Sequence, residues 1–435
     1  MDAIIEIFRH GQWAPAATLR PLGVDRCLLD YETHYIFGEN PQPVSLTLPV
    51  GFLDAVRAAP EGATPVERDF SIPSFLYDLV PQGRGRKHLV NLLKLTDSDH
   101  LIMPLLLAGA FNPIGCLRIN TAVRFFEDHA RDAAGSDAML NHGFDLDDVV
   151  AKSQDFLEHM SLHAMLASGT TGVQGVAPKY LLTQDRQGQW FADMALADNR
   201  ADKHWLLKLP RGRSEEDRSV LRNEAAYLRV AKACGLRLEH APMLVGEMLF
   251  VRRFDRTPGQ QGLERLHQES LASLVGHKGF GLPVAQNDLL LAMRRHVTDP
   301  LRETIEFLQR DVLNMALRNT DNHARNTAVQ RLPDGIVQLT PVFDFAPMFM
   351  DPEIVPRTAH WQSASGKHLN DWSAIVESLP IPDEEKTLCA HELIEFASIV
   401  AQLPKICTDQ GVEPGVLRKC LQSIDQVAHS LLGIR

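Results

Sequence analysis

The chain has 435 residues, 45% of them hydrophobic and 23% charged, the balance of an ordinary globular protein with enough apolar surface for two or three domains. Its formal net charge of −11 argues against a broad basic surface for nonspecific DNA or RNA binding and leaves open a local basic patch, or DNA contact through a partner. The six cysteines, Cys27, Cys116, Cys234, Cys389, Cys407 and Cys420, are scattered without a C-x-x-C pair and read as reduced thiols of a cytosolic protein.

Taken in order, the N-terminus MDAIIEIFRHGQW lacks a basic stretch followed by a long apolar core, so no secretory leader is expected. Residues 1–50 read as β-rich. AIIEIF alternates apolar and charged residues, CLLDY and HYIFG are short runs broken by Gly, Pro and Asn, and PVSLTLPV adds another strand-like piece. IPSFLYDLVPQGRGRKHLVNLLKL predicts helix, turn and helix, with Pro81 and Gly83 as the break. LIMPLLLAGAF, residues 101–111, is apolar but too short to span a bilayer, so no membrane association is expected. LLLAGAF and GCLRINTAV read as a short helix and a strand, and they close a first segment at residue 125.

A second segment, 126–255, opens on small and polar residues to 145, a linker or exposed insertion. A helical pattern follows over 147–167. SGTTGVQGVAPKYLLT, residues 168–183, places three glycines and three hydroxyl residues ahead of a strand at Tyr180–Thr183. A further strand is predicted at His204–Leu209, a helix over 219–236 closed by Gly235, and a hairpin in MLVGEMLFVRRFD with Gly246 near its turn. The third segment, 256–435, is predicted mostly helical to Arg318 and again after Pro356. Within it HELIE at His391 lacks the second histidine of a zinc-binding H-E-x-x-H. The exception to helix is LNMALRNTDNHARNTAVQRLPDGIVQLTPVFDFAP, 313–347, which reads as a helix end, a polar loop, a strand, a turn and a second strand.

That stretch carries the chemistry. Asp321 and Asn326 are spaced D-x-x-x-x-N, and Asp344 follows in FDF at the expected end of the second strand. Phosphoryl transfer from ATP calls for an aspartate that takes the acceptor proton, and for oxygen ligands that hold Mg²⁺ on the phosphates. Upstream, in the order a kinase requires, stand the glycine-rich loop, Lys208 after an apolar run, and Glu224 in a helix. Backbone amides of a glycine loop approach phosphate closely, a strand lysine adds positive charge, and a helix glutamate holds that lysine. Each piece alone has a plainer meaning. Asp and Asn favour turns, Lys208 could end a strand pointing to water, and Glu224 could be a solvated helix charge. VRRFDR at 251–256 could be an adenine-contacting hinge or a plain strand end. His323 would more often pack against its loop than do chemistry, and Arg325 would either balance phosphate charge or face solvent.

These residues resemble the HipA family, bacterial toxin kinases of toxin–antitoxin systems, over nearly the whole chain. NTDNHARNTAV resembles the family's T-D-G-H-A-K-N loop and LTPVFDFAP its L-T-P-x-Y-D segment. HWLLKLP resembles the ATP-lysine strand and FVRRFDR the V-E-R-F-D-R hinge. PVSLTLP, FLYDLVPQG and NPIGCLRI are looser matches to its N-terminal segments. The resemblance implies a two-lobed, kinase-like α/β fold with a β-rich N-terminal subdomain and a helical C-terminal lobe. It implies Asp321 as catalytic base, with Asn326 and Asp344 on Mg²⁺. ATP contacts are implied along Gln174, Gly175, Val176, Ala177, Pro178 and Lys179, at Lys208, and at Arg252, Arg253 and Phe254. Further contacts are implied at His323, Ala324, Arg325 and Asn326, and at Phe343 and Asp344. Glu224 would be the lysine's partner.

The sequence departs from the family in places. Gly172 stands where the family's autophosphorylated serine would be, which moves that expectation to Thr170 or Thr171, then Ser168. The loop ends A-P-K rather than Q-E-K, and Arg252 replaces the hinge glutamate. The reading that follows is a cytoplasmic serine/threonine protein kinase whose target, by the resemblance, is an aminoacyl-tRNA synthetase. Its implied partner is a HipB-like helix-turn-helix antitoxin, with DNA reached only through that partner. A small-molecule kinase, or a non-catalytic pseudokinase serving as scaffold or co-repressor, are the alternatives.

Overall fold

A computed structural model describes residues 2–52, 70–134, 142–152, 156, 178–259 and 262–434. The backbone falls into two units. The first is Met1–Leu206 with Asp255–Glu269 and Gly276–Gly279; the second is Leu207–Phe254, Ser270–Val275 and Phe280–Arg435.

The first unit begins with an antiparallel sheet ordered β3-β2-β1-β4, from β1 (Ala3–Arg9), β2 (Gln12–Pro21), β3 (Cys27–Tyr31) and β4 (Leu117–Ile119). Ala3, Ile5 and Ile7 of β1 are fully buried, the period of two that commits one strand face to the core. His10 and Gly11, at φ +49° and +76°, make the tight turn into β2, as two-residue hairpins require. Helices α1 (Gly83–Leu92) and α2 (Ile102–Gly109) follow the helical pattern of the sequence, and a third helix, α3 (Asn120–Ala134), follows β4. In α2, Leu105 and Leu106 are fully buried.

Several expectations are corrected here. HYIFG is not a strand: Thr33–Ile36 form one helical turn, with the Ile36 amide donating to the Glu32 carbonyl and the Tyr35 hydroxyl to the Gln42 carbonyl at 2.7 Å. PVSLTLPV is a turn with a single bridge between Ser45 and Leu48. Its backbone is spoken for elsewhere, since Val44 N–H donates to the Tyr31 hydroxyl, and both Ser45 Oγ and Leu46 N–H donate to the Glu269 carboxylate. Ser74–Leu79 is a 3₁₀ turn rather than an α-helix, although the break before α1 falls where Pro81 and Gly83 place it. The strand in GCLRINTAV stops at Ile119, and α3 runs on to Ala134 through the first part of the expected linker. Phe126, on its buried side, stacks on Phe111 at 4.5 Å; the polar residues read as a linker are the outer side of an amphipathic helix.

The unit continues with β5 (Lys179–Asp185), β6 (Trp190–Ala192) and β7 (Ala201–Lys208), ordered β6-β5-β7. β5 covers the expected strand, and β6 was not anticipated. Buried between them, Asp193 accepts from Thr183 Oγ1 (2.5 Å) and Asn112 Nδ2 (2.6 Å) and pairs with His204 Nδ1 at 2.9 Å. Arg256–Gly259 and Gly262–Arg265 form a hairpin where helix was expected; RTPGQQGLER holds a proline and two glycines, all poor in helices.

The last two residues of β7, Leu207 and Lys208, belong to the second unit. Helix α4 (Glu215–Ala233) follows. Ser214 Oγ caps it by accepting from Asp217 N–H, three acidic residues fill its first turn, and Gly235 at φ +91° ends it. The predicted hairpin is present as β8 (Met243–Val245) and β9 (Met248–Arg252). Helix α5 (Pro300–Ala316) begins with an Asp299 cap and Pro300 in its first turn. β10 (Ala328–Arg331) and β11 (Val337–Leu339) form the second predicted hairpin. The segment after Pro356 first makes short strands at Ala359–Gln362 and His368–Leu369. It then turns helical at Trp372–Glu377, Asp383–Ala401, Leu403–Asp409 and Pro414–Leu432. Phe307, Leu308 and Val312 of α5, Phe396 and Val400, and Ile424 and Leu431 are buried, each such side chain stabilising the fold by about 1.5–3 kcal/mol. No described helix is long and apolar enough to cross a membrane.

Candidate active site

Lys208 ends β7 with only 4% of its surface exposed. An ammonium buried without a counter-charge would cost several kcal/mol, on the order expected for an ion taken out of water, so the lysine's alternative reading as a water-facing strand end does not hold. Its Nζ donates to Glu224 Oε1 at 2.5 Å and to Asp344 Oδ1. Glu224 lies on the buried side of α4, flanked along the helix by Leu221, Ala225 and Leu228, which removes its reading as a solvated charge as well. Burial by itself pushes the Lys208 pKa down. Coulomb attraction from Asp344, then from Glu224, and the two hydrogen bonds outweigh that and hold it above its ordinary 10.5. Two carboxylates share one ammonium. Asp344 sits at φ +50°, a conformation non-glycine residues seldom adopt and one that collects at functional positions. It lies beyond β11 in a loop, not at the end of the strand as the sequence suggested.

The loop bearing Asp321 is launched by the end of α5. Arg318 takes φ +56°, and the amides of Arg318 and Asn319 donate back to the carbonyls of Met315 and Asn314, the paired closure that stops a helix sharply. The Arg318 guanidinium stacks over Phe349 at 4.4 Å and donates to the Lys419 carbonyl, which holds this unusual residue in place. Within the loop, Asn326 Nδ2 donates to the Asp321 carbonyl at 2.8 Å, and Asn326 N–H to the His323 carbonyl at 2.9 Å. Arg325 N–H donates to His323 Nδ1 at 3.2 Å. That leaves the ring proton on Nε2, which faces Asp321 Oδ1 at 3.6 Å. His323 therefore braces the loop. Arg325 does not face solvent: it is 3% exposed, with Nη1 3.4 Å from Ser270 Oγ and its guanidinium 5.0 Å above the Phe280 ring. The Ala324 carbonyl accepts from Ala272 N–H.

Asn326, Phe343 and Asp344 line one open pocket of about 400 Å³, together with Asn314, Asn319 and Asn322. Phe254 lies 6.0 Å from Phe343, ring to ring. Arg252 ends β9, and Arg253 is 5% exposed. Pro178 and Lys179 are in the first unit, Lys179 opening β5. Gln174, Gly175, Val176 and Ala177, Gly172, and the hydroxyl residues Ser168, Thr170 and Thr171 lie outside the described residues.

A divalent ion fits this donor set. Asn326 donates through Nδ2, which turns Oδ1 away as an acceptor; that oxygen is buried and has no hydrogen-bond partner, a costly state for a polar atom unless something binds it. Asp344 adds a carboxylate on the same pocket. Among the described residues no group of three or more His, Cys, Asp or Glu could hold a metal. Mg²⁺ keeps several waters and takes one or two protein oxygens plus phosphate, so the pair suffices in kind.

Both loops hang on α5, a role that composition and motif gave no hint of. Toward the segment that leads to Asp344, Glu303 accepts from Leu339 N–H (2.8 Å) and pairs with Arg237 (2.9 Å), and Arg310 donates to the Thr340 carbonyl (2.6 Å). Toward the Asp321 loop, Asp311 accepts from Asn322 Nδ2 (2.7 Å), and Asn314 Oδ1 from Asn319 Nδ2 (2.9 Å). The one sequence signal was charge placed among apolar positions: Glu303 and Asp311 stand beside Thr304, Phe307, Leu308 and Val312 on the buried face.

Residues 171–402, more than half of the chain, match the HipA-like C-terminal domain family. Among solved structures the chain is similar to HipA of Shewanella oneidensis MR-1, determined as a toxin–antitoxin complex with HipB and operator DNA. The TM-score is 0.62 at 16% identity, over 99% of this chain and 96% of that one. A weaker likeness is to the proinflammatory kinase CtkA of Helicobacter pylori, with a TM-score of 0.34 at 15% identity, over 52% of this chain and 90% of that one. The mixed α/β, two-lobed kinase-like fold expected from the sequence is the fold observed, and the chain belongs to the HipA family.

Proposed function

We propose that this chain is an ATP- and Mg²⁺-dependent kinase that phosphorylates serine or threonine on a protein, and that it acts as the toxin of a toxin–antitoxin pair. The observation that carries the reading is buried Lys208 shared by Glu224 and Asp344. Lys208 would hold the nucleotide phosphates, and Glu224 would keep the lysine extended toward them. Asn326 Oδ1 and Asp344 would hold Mg²⁺, which when bound neutralises charge on the phosphates. Asp321, braced by Asn326 and His323, would orient the acceptor hydroxyl and take its proton as the new O–P bond forms. The bond from the γ-phosphorus to the β,γ-bridging oxygen breaks, and ADP leaves with that oxygen. Adenine would lie against Arg252, Arg253 and Phe254, with Phe343 nearby, and the phosphates against residues 174–179.

The same reading assigns three working segments: an N-terminal HipA-type subdomain (1–125), a segment with the phosphate loop and ATP lysine (126–255), and a helical lobe with the catalytic and metal loops (256–435). It places the protein in the cytoplasm, with a HipB-like antitoxin as partner, a pairing seen in the Shewanella complex, and with DNA reached only through that partner. The target class is an aminoacyl-tRNA synthetase, whose modification would stall translation. Self-modification at Thr170 or Thr171, with Ser168 next, would add about −1.5 to −2 charge beside the ATP phosphates and switch the kinase off by repulsion.

Phosphoproteomics after brief expression tests the proposal. Sites should appear with the wild type and vanish with Asp321→Ala, and growth arrest should vanish with them. Arrest of equal strength by the Asp321→Ala protein would mean that binding, not phosphorylation, does the harm.

A further inference from the structure

Asp311 belongs to none of the motifs above, yet it is 2% exposed and receives donors from four side chains of the second unit. Oδ1 accepts from Asn322 Nδ2 and from Arg357 Nη2, both at 2.7 Å, with Gln286 Nε2 farther off at 3.4 Å. Oδ2 accepts from Trp361 Nε1 and again from Arg357 Nη2, each at 2.7 Å. Arg357 is fixed in turn by its Nε, which donates to the Ala359 carbonyl at 2.6 Å. Asn322 is the residue next to Asp321. A carboxylate buried on a rigid helix and saturated with donors is a fixed point, and Asn322 is the only neighbour of Asp321 in sequence that is tied to it.

We propose that Asp311 is a positioning residue for the phosphoryl-transfer loop. Through Asn322 it sets where the Asp321 carboxylate stands, and through Arg357 and Trp361 it locks that setting to the segment that follows the metal-binding aspartate. The proposal rests on the kinase reading for its effect on rate, but not for its effect on the loop. It predicts a division of labour: nucleotide binding depends on Lys208, Asn326 and Asp344, whereas the alignment of Asp321 depends on Asp311. A misplacement of about 1 Å at a reacting group lowers rate up to about a hundredfold without loosening substrate binding.

The test uses the full chain, with Mg-ATP as the probe, in two variants. Asp311→Asn removes the charge that Arg357 needs. Asn322→Ala cuts only the link to the loop and leaves Asp311, Arg357 and Trp361 together, so it folds even where Asp311→Asn does not. ADP release and hydrogen exchange by mass spectrometry are measured on each. The expected result is a fall in kcat of about ten- to a hundredfold, with KM for ATP changed less than about twofold. Amide exchange over 319–327 should quicken, while exchange around Lys208 and Asp344 stays as in the wild type. Unchanged exchange over 319–327 in Asn322→Ala overturns the proposal, as does a rise in KM equal to the fall in kcat. A wild-type protein that releases no ADP would count against the kinase reading alone, and the exchange over 319–327 would still decide the role of Asp311.

Discussion

Two buried carboxylate groups in the second unit are built on opposite principles. Around Lys208, one ammonium serves two carboxylates, Glu224 and Asp344. Around Asp311, one carboxylate faces one guanidinium, Arg357, and its remaining acceptor capacity is taken by the neutral donors of Asn322 and Trp361. In the first group the shared lysine joins a helix glutamate to a residue in a seldom-used backbone conformation, Asp344 at φ +50°. In the second the carboxylate sits mid-helix. A lysine with two carboxylates can yield one to an arriving cation and keep the other, whereas a carboxylate fixed by a guanidinium and two neutral donors stays as it is. On the proposed function, the adaptable group stands where ligands would bind and the fixed one behind the residue that would take the proton.

The largest effects should separate the two groups most sharply. Asp344→Ala removes one of the two anions on Lys208 and a proposed ion ligand. Turnover of Mg-ATP should fall by about three orders of magnitude, the several kcal/mol expected of metal-mediated charge stabilisation. The denaturation midpoint should hold or rise, because Lys208 keeps Glu224. Asp311→Ala should do the reverse in stability, leaving Arg357 buried without its anion and costing about 3–5 kcal/mol. Urea titrations of both proteins check this, and equal destabilisation by the two substitutions would erase the distinction between them.

How much of this was readable in advance follows the same division. The adaptable group was legible because its members come in a fixed order with recognisable neighbours: an apolar strand before Lys208, strong helix formers around Glu224, and polar loop residues between Asp321 and Asn326. The fixed group was not. Asp311 looks like any charge on an amphipathic helix, and its partners Asn322, Arg357 and Trp361 stand 11, 46 and 50 residues away. The fold divides likewise. The hairpins β8–β9 and β10–β11 and the helices of the second unit declare themselves by local pattern. PVSLTLPV misleads because its backbone is claimed by Glu269, 223 residues on from Leu46, and RTPGQQGLER because the stretch that follows it reads as helix.

A smaller effect concerns ligand binding. Mg-ATP at about a hundred times its dissociation constant should stabilise the wild type by about 2.7 kcal/mol, seen as a higher melting temperature. Asn326→Ala should lose that gain, since it deletes the buried Oδ1 that has no hydrogen-bond partner among the described residues. Asn322→Ala, four residues earlier, should keep it, since Asn322 belongs to the fixed group. A gain retained in Asn326→Ala would take that oxygen out of the metal site.

The smallest effect is the one with pH, and it orders the two kinds of burial. All six cysteines are buried. Burial pushes the thiols of Cys234 and Cys407 up to about 12 and that of Cys389 up to about 11, from an ordinary 9.0. A folded-state pKa above the unfolded one means stability that is complete below pH 9.0 and lost as pH rises through 11 to 12. Lys208 is also raised, by its two carboxylates against the pull of burial, so its contribution is complete below 10.5 and goes later. Denaturation midpoints should therefore hold flat to about pH 9, the ordinary thiol range, and decline first through the thiols, with the lysine cluster surviving longest. At pH 8 the native protein should leave Ellman's reagent uncoloured, and unfolding it in guanidinium should release all six thiols. Rapid reaction of Cys234 or Cys407 in the native state would show that the wall of α4, on which Glu224 is carried, opens to solvent. The lysine cluster would then be adaptable because its helix moves, and not because Lys208 has two carboxylates to choose between.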